Sequence, residues 1–180
     1  MSADKVRVKS LTEEELFCLE GCRDYEQYYH MRHLFELGVC PFCNINTDVN
    51  KVLYETDTWM LWENPFPRKT LEVQLVIVSK SHIRHLEEVT QKGWSDFFHM
   101  IQWIEGDDGH FITGTGGNLH IRFGDMRYNA GTIQHLHWNY WVPSCLGEVR
   151  IPVLKNPQDR KENRERALAF SARYEAHEVP

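Results

Sequence analysis

The segment that most limits the fold is His135-Leu-His-Trp-Asn-Tyr-Trp141. In an extended strand, successive side chains point to opposite faces. The pattern therefore predicts a strand over 135–142, closed by Pro143. His135, His137 and Asn139 would share one face, and Leu136, Trp138 and Tyr140 the other. The apolar trio needs a core to bury against, while the polar trio lines a site of fixed spacing. A chain carrying this segment is expected to build a sheet with a helix over one of its faces.

The remaining sequence supplies the partners. Lys51–Tyr54 and Thr58–Glu63 read as short strands around the turn Glu55-Thr56-Asp57. Leu71–Ser79 is rich in β-branched residues and reads as a central strand, and Leu119–Phe123 as a further one. Leu86–Ile104 has helical spacing at Leu86, Val89, Trp94, Phe97, Phe98, Ile101 and Ile104. Residues 11–37 read as helix, with capping-box spacing at Thr12 and Glu15, a division at Gly21 and a stop at Gly38. Residues 160–176 read as a charged surface helix. Asn64–Lys69, with two prolines, and Arg127–Thr132 read as loops. So does the glycine-rich stretch Gly106–Gly117, which lacks the Lys-Ser/Thr of a phosphate-cradling loop. The sum is an α+β fold: a mainly antiparallel sheet of about five strands with one long helix. The expected organisation is an N-terminal helical extension over 1–37, a main domain over 38–154 and a charged C-terminal helix or tail over 155–180.

Composition narrows the functional classes. The 180 residues are 42% hydrophobic and include six Trp, enough apolar surface for one packed domain. Lys plus Arg number 20 and Asp plus Glu 26, a formal charge of −6, which argues against general nucleic-acid binding. No run approaches the roughly 18 apolar residues of a membrane span. Met1–Thr12 lacks the apolar stretch of a secretory signal, so a cytoplasmic location is expected. The five Cys are odd in number, against a disulfide framework.

The cysteines instead suggest metal. Cys40-Pro-Phe-Cys43 is a C-x-x-C, the spacing at which two thiolates bind one zinc. In thioredoxin-like redox sites this motif opens a helix after a strand. Here it follows a helix and precedes a loop-like stretch. A closed structural zinc needs two more ligands. His82, at the end of the central strand, and His135 are candidates; Cys18, Cys22 and His85 compete. Cys18 and Cys22, one helical turn apart, also fit core positions. Of the ten His, numbers 30, 33, 99, 110 and 177 sit in polar or helical contexts that suit surface residues.

Taken together, the ordered features from about residue 38 to 154 resemble the histidine-triad (HIT) superfamily of nucleotide hydrolases and transferases. Cys40-Pro-Phe-Cys43 resembles its zinc knuckle, and Val52–Glu55 with Trp59–Trp62 its first hairpin. Asn64-Pro-Phe-Pro67 resembles its nucleoside-facing loop, and Leu75–His82 its strand ending in Ser-His. Ala130-Gly-Thr-Ile-Gln-His-Leu-His-Trp138 resembles the glycine turn into the signature strand, nearest the dinucleoside-polyphosphate phosphorylase branch. The resemblance implies structural zinc held by Cys40, Cys43, His82 and His135, with His137 as nucleophile. It implies a nucleotidyl-histidine intermediate formed on a nucleotide or dinucleoside polyphosphate, and a homodimer through an edge strand.

Asn139 stands where the family has its third histidine, and Gln74 where many members have one on the preceding strand. Asn139 and Thr132 are the candidate donors to developing phosphate charge, and Arg122 and Arg127 the candidates to neutralise phosphate oxygens. Both arginines also suit a solvated surface. Asn64 is the candidate for ribose hydroxyls, or simply the turn residue ahead of Pro65. Gln74 is placed with the nucleotide-binding group. Trp59, Trp62 and Phe66 could wall a base or belong to the core. The alternative is a nucleotide-binding or sensing module without turnover on the same zinc-stabilised fold.

Overall fold

The computed structural model describes residues 17–45, 50–106, 116–129, 131–144, 146–149, 151, 153 and 161–180. The capping box at Thr12, the glycine-rich stretch 107–115, Ala130 and Cys145 lie outside them. The described residues fall into two compact units. One draws on Met1–Asn44, Gly124–Gln134 and Ile151–Pro180, the other on Ile45–Phe123 and His135–Arg150.

The second unit is a five-stranded, wholly antiparallel sheet of order β1-β2-β3-β5-β4. The strands are β1 (Val52–Glu55), β2 (Trp59–Glu63), β3 (Leu71–Ser79), β4 (Asn118–Arg122) and β5 (His137–Pro143). This is the α+β architecture expected from the patterning. One face carries the core: Trp59, Leu61, Leu75, Ile77, Tyr140 and Val142 from the strands, with Leu136 just ahead of β5. Phe97, Met100 and Ile104 of the long helix complete it. They lie three to four residues apart, so they share one helical stripe. Trp94 and Phe98 stand off that stripe and are 41% and 60% exposed.

The expected helix over Leu86–Ile104 is two elements. A single 3₁₀ turn, Leu86–Glu88, is capped by His85 and Glu88. The chain is then extended at Val89 and Thr90, and the long helix runs Gln91–Glu105. Thr90 causes the restart, since its hydroxyl accepts from the Gly93 N–H at 3.1 Å.

In the first unit, helix α1 (Tyr25–Glu36) is capped by Asp24, whose carboxylate accepts from Gln27 N–H at 2.8 Å. It ends at Gly38, whose φ of +63° suits glycine. With α1 numbered, the long helix is α2, the short Met126–Asn129 is α3 and Lys161–Glu175 is α4. The helical stretch read over 11–37 with a division at Gly21 is, within the described residues, a 3₁₀ turn at Leu19–Gly21 followed by α1. Phe170 of α4 packs on Tyr25 and Tyr28, with ring centroids 5.9 and 5.7 Å away. Tyr174 hydrogen-bonds Glu36.

The loop read over Arg127–Thr132 overlaps α3, whose first N–H, that of Met126, donates to the Gln134 side-chain oxygen. Cys18 N–H donates to the Thr132 carbonyl at 2.9 Å, and Phe17 bridges Ile133. Gly21 and Gly131 approach so closely that a Cβ on Gly21 would collide with the Gly131 carbonyl.

Candidate functional site

The histidine segment enters the sheet two residues later than its alternation suggests. His135 and Leu136 precede β5, because the Leu136 N–H turns to Ile83, beyond the end of β3. Leu136 N–H donates to Ile83, and its carbonyl accepts from Ser79. His135 therefore does not share a strand face with His137 and Asn139, which corrects the expected trio. Its ring is fully buried, and Nε2 lies 2.7 Å from the Ser79 carbonyl oxygen. A carbonyl only accepts, so Nε2 carries the proton and Nδ1 keeps the lone pair. The His82 ring stands 4.9 Å from that of His135, edge to face. One carbonyl thus sets the His135 tautomer, the usual support for a ligating histidine.

In the other unit, Cys40 and Cys43 sit on one tight turn. The Cys40 carbonyl accepts from the N–H groups of Cys43 and Asn44 at 3.2 and 3.1 Å. Their sulfurs lie within 4.8 Å of each other. The Cys43 thiol is pushed up by its hydrogen bond to Cys40 and by burial. Each pair supplies the soft sulfur or imidazole donors that zinc prefers. The rival ligands are placed differently. Cys18 and Cys22 are buried, and burial foremost pushes the Cys22 thiol up to about 12. His85 is exposed and caps the 3₁₀ turn.

β5 then presents alternate residues. Trp138, Tyr140 and Val142 belong to the core side. His137, Asn139 and Trp141 share the other face, opposite Arg122, His120 and Asn118 of β4. His137 Nδ1 lies 2.7 Å from the His135 carbonyl oxygen, so Nδ1 bears the proton and Nε2 the lone pair. Burial, and then Arg122, His135 and His120, depress its basicity to about 4, against the raising effect of that hydrogen bond. The imidazole is neutral at pH 7, the nucleophilic form.

Two residues on, the Asn139 side-chain oxygen accepts from Gln74 Nε2 at 3.2 Å. The Gln74 carbonyl oxygen accepts from Arg68 N–H at 3.0 Å. Gln74 thus orients Asn139 and anchors the loop, so both ends of its amide are engaged. Asn139 is 3% exposed, and its Nδ2 has no hydrogen-bond partner among the described residues. The same holds for Trp141 Nε1, and His120 Nε2 is also buried without one. A buried donor left unpaired costs about 1–3 kcal/mol.

His120 was not among the residues singled out from sequence, although the strand pattern over 119–123 already set it and Arg122 on one face. Its ring lies 5.3 Å from Trp141, whose own ring carries the Arg68 guanidinium at 5.5 Å. Burial first, then Arg122 and Arg68, lower His120 to about 4.

The other expected residues fall as follows. Arg122 is directly opposite His137. Asn64 makes the turn ahead of Pro65, its side-chain oxygen accepting from Phe66 N–H at 2.8 Å. Trp62 shares the sheet face of Val76 and Asn139, by register. Trp59 is a core residue that donates from Nε1 to the Gly93 carbonyl at 2.7 Å. Thr132 and Arg127 belong to the unit that holds the cysteines. Thr132 offers its carbonyl to Cys18, and Arg127 grips Asp125 at 2.6 Å.

A sheet with one helix-covered face and one histidine-bearing polar face is the class of site these residues define. No protein-family model matches the chain, and neither does any curated protein. Among solved structures, the chain is similar to a histidine triad protein from Clostridium difficile. The identity is 21%, covering 62% of this chain and 96% of that one, with a TM-score of 0.46. It is similar to a HIT family hydrolase from Clostridium thermocellum, with 20% identity, 61% and 95% coverage and a TM-score of 0.47. It is also similar to a hypothetical histidine triad nucleotide-binding protein from Sulfolobus tokodaii. There the identity is 17%, the coverage 73% and 88%, and the TM-score 0.48. No helix among the described residues is long and apolar enough to cross a membrane.

Proposed function

We propose that the chain is a histidine-triad enzyme, a nucleotidyl hydrolase or transferase acting at the α-phosphorus of a nucleotide. The observation that carries this reading is the His137 tautomer, with Nδ1–H held by the His135 carbonyl and the lone pair on Nε2. In the first step, the Nε2 lone pair attacks the α-phosphorus. The bond from phosphorus to the leaving oxygen breaks, and its electron pair departs with that oxygen. In the second, water, phosphate or a sugar phosphate attacks the nucleotidyl-histidine. The nucleotide is released, and the electron pair returns to Nε2. Arg122, opposite His137, stabilises charge on the non-bridging oxygens. Asn139 donates through Nδ2, and Thr132 is a further donor. Asn64 and Gln74 act in nucleotide binding, the latter by holding Asn139. Dinucleoside polyphosphates are the first substrates to test.

The same reading assigns Cys40, Cys43, His82 and His135 as ligands of one structural zinc. Its support is the chemistry of the donors: a C-x-x-C turn and a buried imidazole with its outer nitrogen already hydrogen-bonded. When bound, the metal stabilises the fold and takes no part in the transfer. A homodimer would form through β1 or β4, the outer strands of the sheet.

One observation favours a binding or sensing role instead. Asn139 and Gln74 form a neutral amide pair, which cannot shuttle a proton to a leaving group. Trapping separates the two readings. The protein is mixed with a dinucleoside polyphosphate, quenched in alkali, where a phosphorus–nitrogen bond survives, and mapped by peptide mass. A nucleotidyl group on the His137 peptide supports the enzyme. Nucleotide binding without adduct or turnover supports the sensing module.

A further inference from the structure

We infer that His120, Asn139 and Trp141 form a second anion subsite, which holds a phosphate of the substrate beyond the one that His137 attacks. The inference deepens the proposed function and rests on it for the position of the attacked phosphorus. Among the described residues, three buried nitrogens on one sheet face have no hydrogen-bond partner: Asn139 Nδ2, His120 Nε2 and Trp141 Nε1. Asn139 and Trp141 are each 3% exposed, and Asn139 is fixed in orientation because Gln74 holds its oxygen. His120 stands opposite Asn139 in register, with its ring 5.3 Å from Trp141.

The charges acting on His120 are the guanidiniums of Arg122 and Arg68, and no carboxylate is among them. Amide and indole N–H groups beside two guanidiniums select an acceptor that is also an anion. Trp141 is four residues from His137 on the same face, about 14 Å along the strand. A polyphosphate chain bridges that distance and a single phosphate does not. The geometry therefore points to substrates in which the attacked phosphorus carries a chain of further phosphates.

Inorganic tripolyphosphate tests the subsite without turnover. The indole N–H signals of the protein are followed by NMR during titration, with Trp141→Phe identifying the Trp141 signal. Saturable movement of that signal is expected, at a lower concentration of tripolyphosphate than of orthophosphate. His120→Phe, which keeps the ring and removes both nitrogens, should weaken tripolyphosphate at least tenfold, and His120→Gln, which keeps an N–H, should weaken it less. Melting curves establish that each variant is folded. A Trp141 signal indifferent to tripolyphosphate, or equal affinity in folded His120→Phe, overturns the inference. The adduct on His137 is read separately. Its absence with tripolyphosphate binding intact sinks the proposed chemistry alone, and its presence with no response at Trp141 sinks the subsite alone.

Discussion

The Nδ1–H of His137 is held 2.7 Å from the carbonyl oxygen of His135, two residues earlier in the same chain. A backbone atom thus sets the tautomer, and no carboxylate is needed. The expected consequence is that His137→Ala loses at least about a thousandfold in turnover. The fold should persist, as read by near-UV circular dichroism and melting. Full activity in the folded variant would remove His137 from the chemistry.

Gln74 and Asn139 form a second dependent pair. Gln74→Leu leaves the Asn139 oxygen and the Arg68 N–H without their partner. An expected loss of about 1–3 kcal/mol should appear in denaturant titration. Substrate KM should rise with it, because Asn139 is no longer oriented. A variant as stable as the parent would show that the pair contributes little.

Zinc is checked by elemental analysis and by chelation. One zinc per chain is expected, falling on Cys40→Ser or Cys43→Ser. Removing a metal present at a thousandfold over its dissociation constant costs about 4 kcal/mol. The melting temperature should therefore drop with a chelator and recover on adding zinc. A zinc-free preparation with an unchanged melting temperature would refute the ligand assignment.

Asp96 gives a pH-dependent expectation. It is buried, which acts to raise its pKa, but Lys92 and Thr58 bond its carboxylate and hold it below its ordinary value. A depressed carboxyl contributes stability above its unfolded pKa of about 3.9, and that contribution is lost as pH falls further. Asp96→Asn should lower stability at neutral pH and flatten its decline below pH ~4. Parallel acid-denaturation curves for the two proteins would contradict this.

Gly21→Ala tests the glycine contact in the other unit. The new Cβ would meet the Gly131 carbonyl, which is backbone and cannot rotate away. Overpacking of this kind costs about 1–3 kcal/mol. A neutral result in thermal unfolding would mean that the 131–133 turn yields readily.

The strands were legible where a period of two was clean. The period over Leu71–Ser79 matches both ends of β3, and His137, Asn139 and their apolar neighbours take the expected faces. His135 departs from the alternation because its ring bonds the Ser79 carbonyl and the next residue, Leu136, turns its N–H to Ile83, and both partners are remote in sequence. Helix α3 has no local signal for a similar reason, since the side chain that holds its first N–H is that of Gln134, eight residues on. His120 shows the limit most clearly. Its face was readable from alternation, but its place across from Asn139 is a property of strand register. Conversely, the break before α2 was encoded locally by Thr90, and helical periodicity simply ran over it.

β5 lies between β3 and β4, so its backbone bonds are committed on both edges. A single inserted or deleted residue within it cannot be absorbed by sliding, because one step of register exchanges the two faces. Such a change would turn an indole onto the face of Arg122 and the imidazole into the apolar layer. Homologous chains that keep this chemistry should therefore show no odd-numbered length changes within the strand, while remaining free to lengthen elsewhere.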